Sequence, residues 1–131
     1  MPGETIINPD VDNGLSVLIV EDEFLVAMDL ETILEQGGHA VMSSVASVEA
    51  ALKALEDGRP DVAVLDLNLR GQLVFPVAER LRSLNIPFVV ASAYNDLDIP
   101  GGEVVADVEN VGKPINERRL FDALRRAVPA A

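Results

Sequence analysis

Short β-branched runs alternate with helical segments along this chain, and that alternation leaves few folds open. Residues 15–20 have the pattern of a buried strand. Residues 23–36 then carry Phe24, Met28, Leu30 and Leu34 near helical spacing and stop at Gly37-Gly38. A weaker strand at 39–43 precedes a helix that Ser47 can cap and Gly58 can end, with Ala50, Ala51, Ala54 and Leu55 inward. Residues 61–66, Asp-Val-Ala-Val-Leu-Asp, read as a third strand. The helix predicted over 74–84 tolerates Pro76 because that residue falls in the first turn. A fourth strand is expected at 87–92 and a fifth at 103–108. The closing helix, over 115–128, points Leu120, Phe121, Leu124 and Val128 inward. Such spacing requires right-handed crossovers and a parallel sheet covered on both faces. Residues 95–102 are poor helix formers, so the fourth helix of such a fold is expected to be short or irregular.

With 131 residues the chain has the length of one domain, expected over 15–131 behind a flexible arm at 1–14. Met28 and Met42 read as core filling. The apolar runs are strand-length, and the N-terminus lacks a basic segment followed by an apolar stretch, so neither a membrane span nor a signal peptide is expected. The absence of cysteine excludes disulfides, thiolate metal sites and a cysteine nucleophile. These features together predict a cytoplasmic protein. A net charge of −12 argues against nucleic acid as a partner, because phosphate backbones need compensating cations. No Lys or Arg precedes Lys53, whereas Arg118, Arg119, Arg125 and Arg126 crowd the last segment, where a solvated helix face explains them better than a partner patch does.

Ligands of open parallel sheets bind at the carboxyl ends of the strands. Here the first strand ends in Glu21-Asp22-Glu23, the third in Asp66 and the fourth in Ser92; Lys113-Pro114 follows the fifth. Carboxylates gathered this closely repel one another unless a cation lies between them. Mg2+ suits such a set, since it takes oxygen ligands and bridges to phosphate oxygens. Formal charges balance: Glu21, Asp22 and Asp66 supply −3, and Mg2+ with Lys113 supplies +3. An acyl phosphate on Asp66 would add about one negative charge, which gives Ser92 and Lys113 a reason to move. Taken singly, Asp22 could be only a helix cap, and Ser92 and Lys113 are commonplace. Proline does restrict Lys113 to an extended backbone. The lone histidine, His39, opens the second strand away from these groups, and no glycine-rich phosphate-binding motif occurs.

These residues bring a family into view. Val17-Leu18-Ile19-Val20-Glu21-Asp22-Glu23 resembles the acidic first-strand signature of bacterial response regulator receiver domains, with Glu21 in place of the commoner Asp. Val64-Leu65-Asp66-Leu67-Asn68-Leu69-Arg70-Gly71 resembles their phosphoacceptor segment. Ser92-Ala93 is similar to the switch hydroxyl, and Lys113-Pro114 to the lysine with its cis-prone proline. The resemblance covers residues 15–128 and implies a flavodoxin-like, doubly wound, five-stranded parallel sheet in the order 2-1-3-4-5. It implies that Asp66 receives a phosphoryl group from a sensor histidine kinase or a histidine phosphotransfer protein. Asp22, Asp66 and the Asn68 backbone carbonyl would bind Mg2+, with Glu21 acting directly or through water. Asn68 and Tyr94 occupy positions that tune dephosphorylation.

Two departures bear on output. Asn110 stands where such domains carry a switch aromatic, three positions before the lysine. Val90-Ala91-Ser92-Ala93-Tyr94 resembles instead the Phe-Ala-Thr-Gly-Tyr signature of alphaproteobacterial stand-alone receivers, so Tyr94 and the following loop are expected to replace the usual switch. The expected function is a single-domain response regulator in a phosphorelay, monomeric or weakly homodimeric. It would act on an unknown downstream protein or as a phosphate sink, with no enzymatic activity beyond its own phosphorylation and dephosphorylation. One alternative is a degenerate receiver used as a docking platform. Another, an aspartyl-phosphate phosphatase of the haloacid dehalogenase type, is disfavoured because that family needs a second acid where Asn68 stands and a cap insertion that this chain lacks.

Overall fold

The computed structural model describes residues 14–92, 105 and 108–129. Its central sheet has β1 (Ser16–Val20) and β3 (Val62–Leu65) in the middle, with β2 (Ala40–Val45) and β6 (Phe88–Val90) outside them. The order is β2-β1-β3-β6 and every pairing is parallel. Between β3 and β6 the chain makes a small antiparallel hairpin, β4 (Asn68–Leu69) and β5 (Gln72–Leu73).

Strand alternation decides which helix covers which face. Leu18, Val20, Ala63, Leu65, Phe88 and Val90 pack under α2 (Val48–Asp57) and α3 (Phe75–Ser83). Their neighbours Val17, Ile19, Val62, Val64 and Val89 pack under α1 (Phe24–Gln36) and α4 (Glu117–Ala127). Both faces are therefore apolar, as a doubly wound sheet requires. Ser47 caps α2 as expected, its Oγ accepting the Ala50 N–H at 3.1 Å. Gly38 turns the chain after α1 at φ 90°. Gly37 leaves room for Phe121, whose Cζ would lie 2.5 Å from a Cβ there.

One expectation needs correction. Phe24 and Met28 do not fill the core: they are 74% and 46% exposed, beside an exposed Leu25. α1 carries two apolar stripes, and the one that buries is Ala27, Leu30, Ile33 and Leu34, leaving the i, i+4 pair Phe24–Met28 outward. The fifth strand expected at 103–108 lies mostly outside the described residues. Of that span only Val105 and Val108 are described, and among the described residues β6 is bridged in parallel by Asn110 to Val90. The Glu109 carbonyl accepts the Val90 N–H (2.9 Å), and Val111 N–H donates to the Val90 carbonyl (2.8 Å). The irregular-helix expectation for 95–102, Tyr94 and the arm at 1–13 lie outside the described residues. No helix among the described residues is long and apolar enough to cross a membrane.

Candidate functional site

The parallel register brings the strand ends to one edge. Asp66 N–H donates to the Val20 carbonyl, Glu21 N–H to the Val45 carbonyl and Ala91 N–H to the Leu65 carbonyl, each at 2.9 Å. Beyond these bonds stand Glu21 and Asp22 after β1, Asp66 after β3 and Ser92 after β6; Glu21, Asp66 and Ser92 are buried. Carboxylate oxygens of Glu21, Asp22 and Asp66 lie within 4.8 Å of one another. Asp22 does not cap α1: its side chain meets Arg70, with Nε 3.2 Å from Oδ2.

Lys113 completes the cluster from the loop before α4, and its bond to Pro114 is cis. Its Nζ lies 3.2 Å from Asp66 Oδ2, 3.0 Å from Glu21 Oε1 and 2.9 Å from Glu23 Oε1. Burial by itself would lower the ammonium's pKa, but the carboxylates of Glu23, Glu21 and Asp66 outweigh it and hold the group above its ordinary range. Lys113 in turn holds Glu23 below the usual carboxylate range. Burial pushes Glu21 up to about 7, with the Asp66 charge adding to that rise. The Glu23 N–H, donated to Glu21 Oε2 at 3.0 Å, and Lys113 both oppose it.

One atom of this cluster is left over. Glu21 Oε1 is buried and, although 3.0 Å from the ammonium, accepts no hydrogen bond. A buried carboxylate oxygen without a donor is costly. Three convergent carboxylates with one orphaned oxygen form a hard-oxygen donor set that fits a divalent cation such as Mg2+.

The remaining predicted residues fall around this cluster. Asn68 N–H makes a long contact to Asp66 Oδ1 (3.4 Å), while Asn68 Oδ1 accepts the Gly71 N–H (2.7 Å) and so serves the hairpin. Asn110 Oδ1 accepts from both Ser92 N–H (3.2 Å) and Gly112 N–H (2.8 Å), tying the end of β6 to the loop of Lys113. His39 is away from the site: it is buried, accepts the Leu15 N–H at Nδ1 (3.1 Å) and packs on Phe121. Of the terminal arginines, Arg126 pairs with Glu109, Arg125 with Asp122, and Arg119 donates to the Asn110 carbonyl. Sequence reasoning missed the parts played by Glu23 and Arg70. Both lie inside the two signature segments, but nothing in their spacing marks them as partners of Lys113 and Asp22.

Residues 17–125 match the family described as the response regulator receiver domain. The chain belongs to that family. It is 37% identical over 115 residues to the transcriptional regulatory protein AfsQ1 of Streptomyces coelicolor, covering 86% of this chain and 50% of that protein. It spans about half the length of this and another curated relative that it matches, the sensory transduction protein LytT of Bacillus subtilis. The solution structure of SdrG from Sphingomonas melonis is 37% identical, with a TM-score of 0.73, over 88% of this receiver and 97% of that chain. The receiver domain of PhyR from Erythrobacter litoralis is 25% identical with a TM-score of 0.78, over 91% and 97%. The flavodoxin-like receiver fold implied by the sequence is thus the fold of this chain, and the strand order of its central sheet begins 2-1-3 as expected.

Proposed function

We propose that this receiver takes a phosphoryl group on Asp66 from a phosphohistidine donor and passes the signal on by protein contact or holds it as a phosphate sink. The supporting observation is the placement of Asp66: buried, 3.2 Å from Lys113 Nζ and clustered with Glu21 and Asp22. In the transfer, an Asp66 carboxylate oxygen forms a bond to phosphorus as the N–P bond of the donor breaks. The electron pair of that bond returns to the imidazole nitrogen, and because the donor ring carries a proton on its other nitrogen it leaves as neutral imidazole. Glu21, Asp22, Asp66 and the Asn68 carbonyl would hold Mg2+, which supplies neutralisation of the phosphoryl oxygens when bound. Lys113 is drawn from Asp66 toward the new charge of about −2, and the Ser92 hydroxyl donates to it. Exposed Phe24, Leu25 and Met28, beside the groove shared by Leu25, Lys113 and Pro114, offer a donor protein an apolar surface next to the acceptor. A sensor histidine kinase or phosphotransfer protein is the donor class that this chemistry requires, and the cytoplasm is the compartment that supplies it.

Incubation with phosphoramidate and Mg2+, followed by intact mass measurement, tests the reading. A phosphoryl adduct is expected on the wild type and none on Asp66→Ala. If the wild type forms no adduct with any donor, the docking-platform reading replaces this one.

A further inference from the structure

The hairpin after Asp66 places a cation where the phosphoryl chemistry does not call for one. β4 and β5 are joined by Arg70-Gly71 alone, and both residues take positive φ, 54° and 87°. Two-residue turns of this kind favour Asn or Asp followed by Gly, and a long side chain at the first position costs backbone energy. The turn is also pinned on three sides. Gly71 N–H donates to Asn68 Oδ1 (2.7 Å), Val74 N–H to the Leu67 carbonyl (3.0 Å) and Val48 N–H to Gln72 Oε1 (3.4 Å). From this fixed base the Arg70 guanidinium reaches back to Asp22, with Nε 3.2 Å from Oδ2. The pair is asymmetric: the Asp22 side chain is 9% exposed and that of Arg70 is 81%. The carboxylate is held in place, and the arginine is free to swing into water.

We propose that Arg70 is a displaceable counter-ion that occupies Asp22 in the metal-free protein and must release it before a divalent cation binds. The inference rests on the reading of Glu21, Asp22 and Asp66 as the Mg2+ site. Lys113 neutralises the inner part of the cluster, touching Glu21, Glu23 and Asp66 but not Asp22. Asp22 therefore has a separate cation, and one whose own side chain is largely solvated and can withdraw into water. A strained backbone position that delivers a charge to a reactive edge is also where strain is expected to serve function. The latch sets a threshold: it weakens metal binding without blocking it, and couples the hairpin next to the phosphoacceptor to metal occupancy.

Mg2+ titration by calorimetry on wild type, Arg70→Asn and Arg70→Lys tests the latch. Asn suits a positive φ, so Arg70→Asn keeps the turn while removing the charge. At low ionic strength Arg70→Asn is expected to bind Mg2+ about two- to fivefold more tightly than wild type, and Arg70→Lys to stay nearer wild type. The gap should close at about 1 M salt, where the Debye length is about 3 Å. Equal or weaker binding by Arg70→Asn at low salt overturns the latch and leaves the metal site standing. Absence of Mg2+ binding by all three proteins overturns both.

Discussion

The strand ends that face each other across the site, after β3 and after β6, are secured by different forces. Around Asp66 the contacts are ionic, with Lys113 within 2.9–3.2 Å of three carboxylates and Arg70 on a fourth. Around Ser92 they are neutral: Asn110 Oδ1 takes the amides of Ser92 and Gly112, and backbone bonds join Ala91 to Leu65 and Val111 to Val90. Charges respond to pH, metal and phosphorylation, whereas neutral amide bonds do not titrate. The two regions meet in the loop of Gly112 and Lys113, whose one residue is held by Asn110 and whose next is held by the carboxylates. The loop that carries Lys113 to Asp66 is therefore the same loop that Asn110 ties to Ser92.

Removing the ionic pins should have the largest effect. Lys113→Met leaves Glu21 and Asp66 buried without their cation and is expected to destabilise the metal-free protein by about 3 kcal/mol, since breaking a buried pair strands a charge. Denaturant titration with and without Mg2+ checks this. The deficit should shrink when the divalent cation is present, and an equal deficit in both conditions would show that metal and lysine do not share those carboxylates.

A smaller effect is expected from pH. Folded Glu21 holds its proton up to about 7 against an ordinary 4.5. The folded state therefore binds that proton more tightly than the unfolded chain. Its contribution to metal-free stability is present at low pH and is lost as pH rises from 4.5 through about 7. Mg2+ must displace the same proton, so its apparent affinity should rise about tenfold between pH 6 and pH 8. Proton release on binding at pH 6 should accompany the rise. A flat affinity across that range would remove Glu21 from the metal site.

Cutting the neutral side should cost least. Asn110→Ala strands the Ser92 and Gly112 amides and is expected to lower stability by about 1 kcal/mol. Phosphoryl uptake from phosphoramidate should persist, with a changed lifetime of the acyl phosphate because Lys113 is less well placed. If the lifetime is unchanged while stability falls, the neutral pins are structural only, and the contrast between the two strand ends sharpens accordingly.

Much of this organisation was readable in advance. β1 and β3 are buried on both faces, so their residues form unbroken apolar runs that end abruptly in acids. Such runs announce both the strand and the position of the chemistry. Asp66, Glu21, Asp22 and Lys113 converge as the strand-end rule predicts. The outward turn of Phe24 and Met28 was not readable, because α1 has two apolar stripes and only its packing on the sheet chooses between them. The β4–β5 hairpin escaped as well, since two-residue strands carry no period.

By itself the sequence determined the alternation, the parallel sheet and the acids at its edge, because burial period and strand-end position are local properties of the chain. Only the tertiary structure decided that Arg70 sits on Asp22, that Lys113 reaches Glu23, and that Asn110 binds Ser92 and Gly112. Those pairings join separate segments, and in the case of Lys113 and Glu23 they lie 90 residues apart. Side-chain reach across a folded edge, rather than any spacing along the chain, is what brings them together.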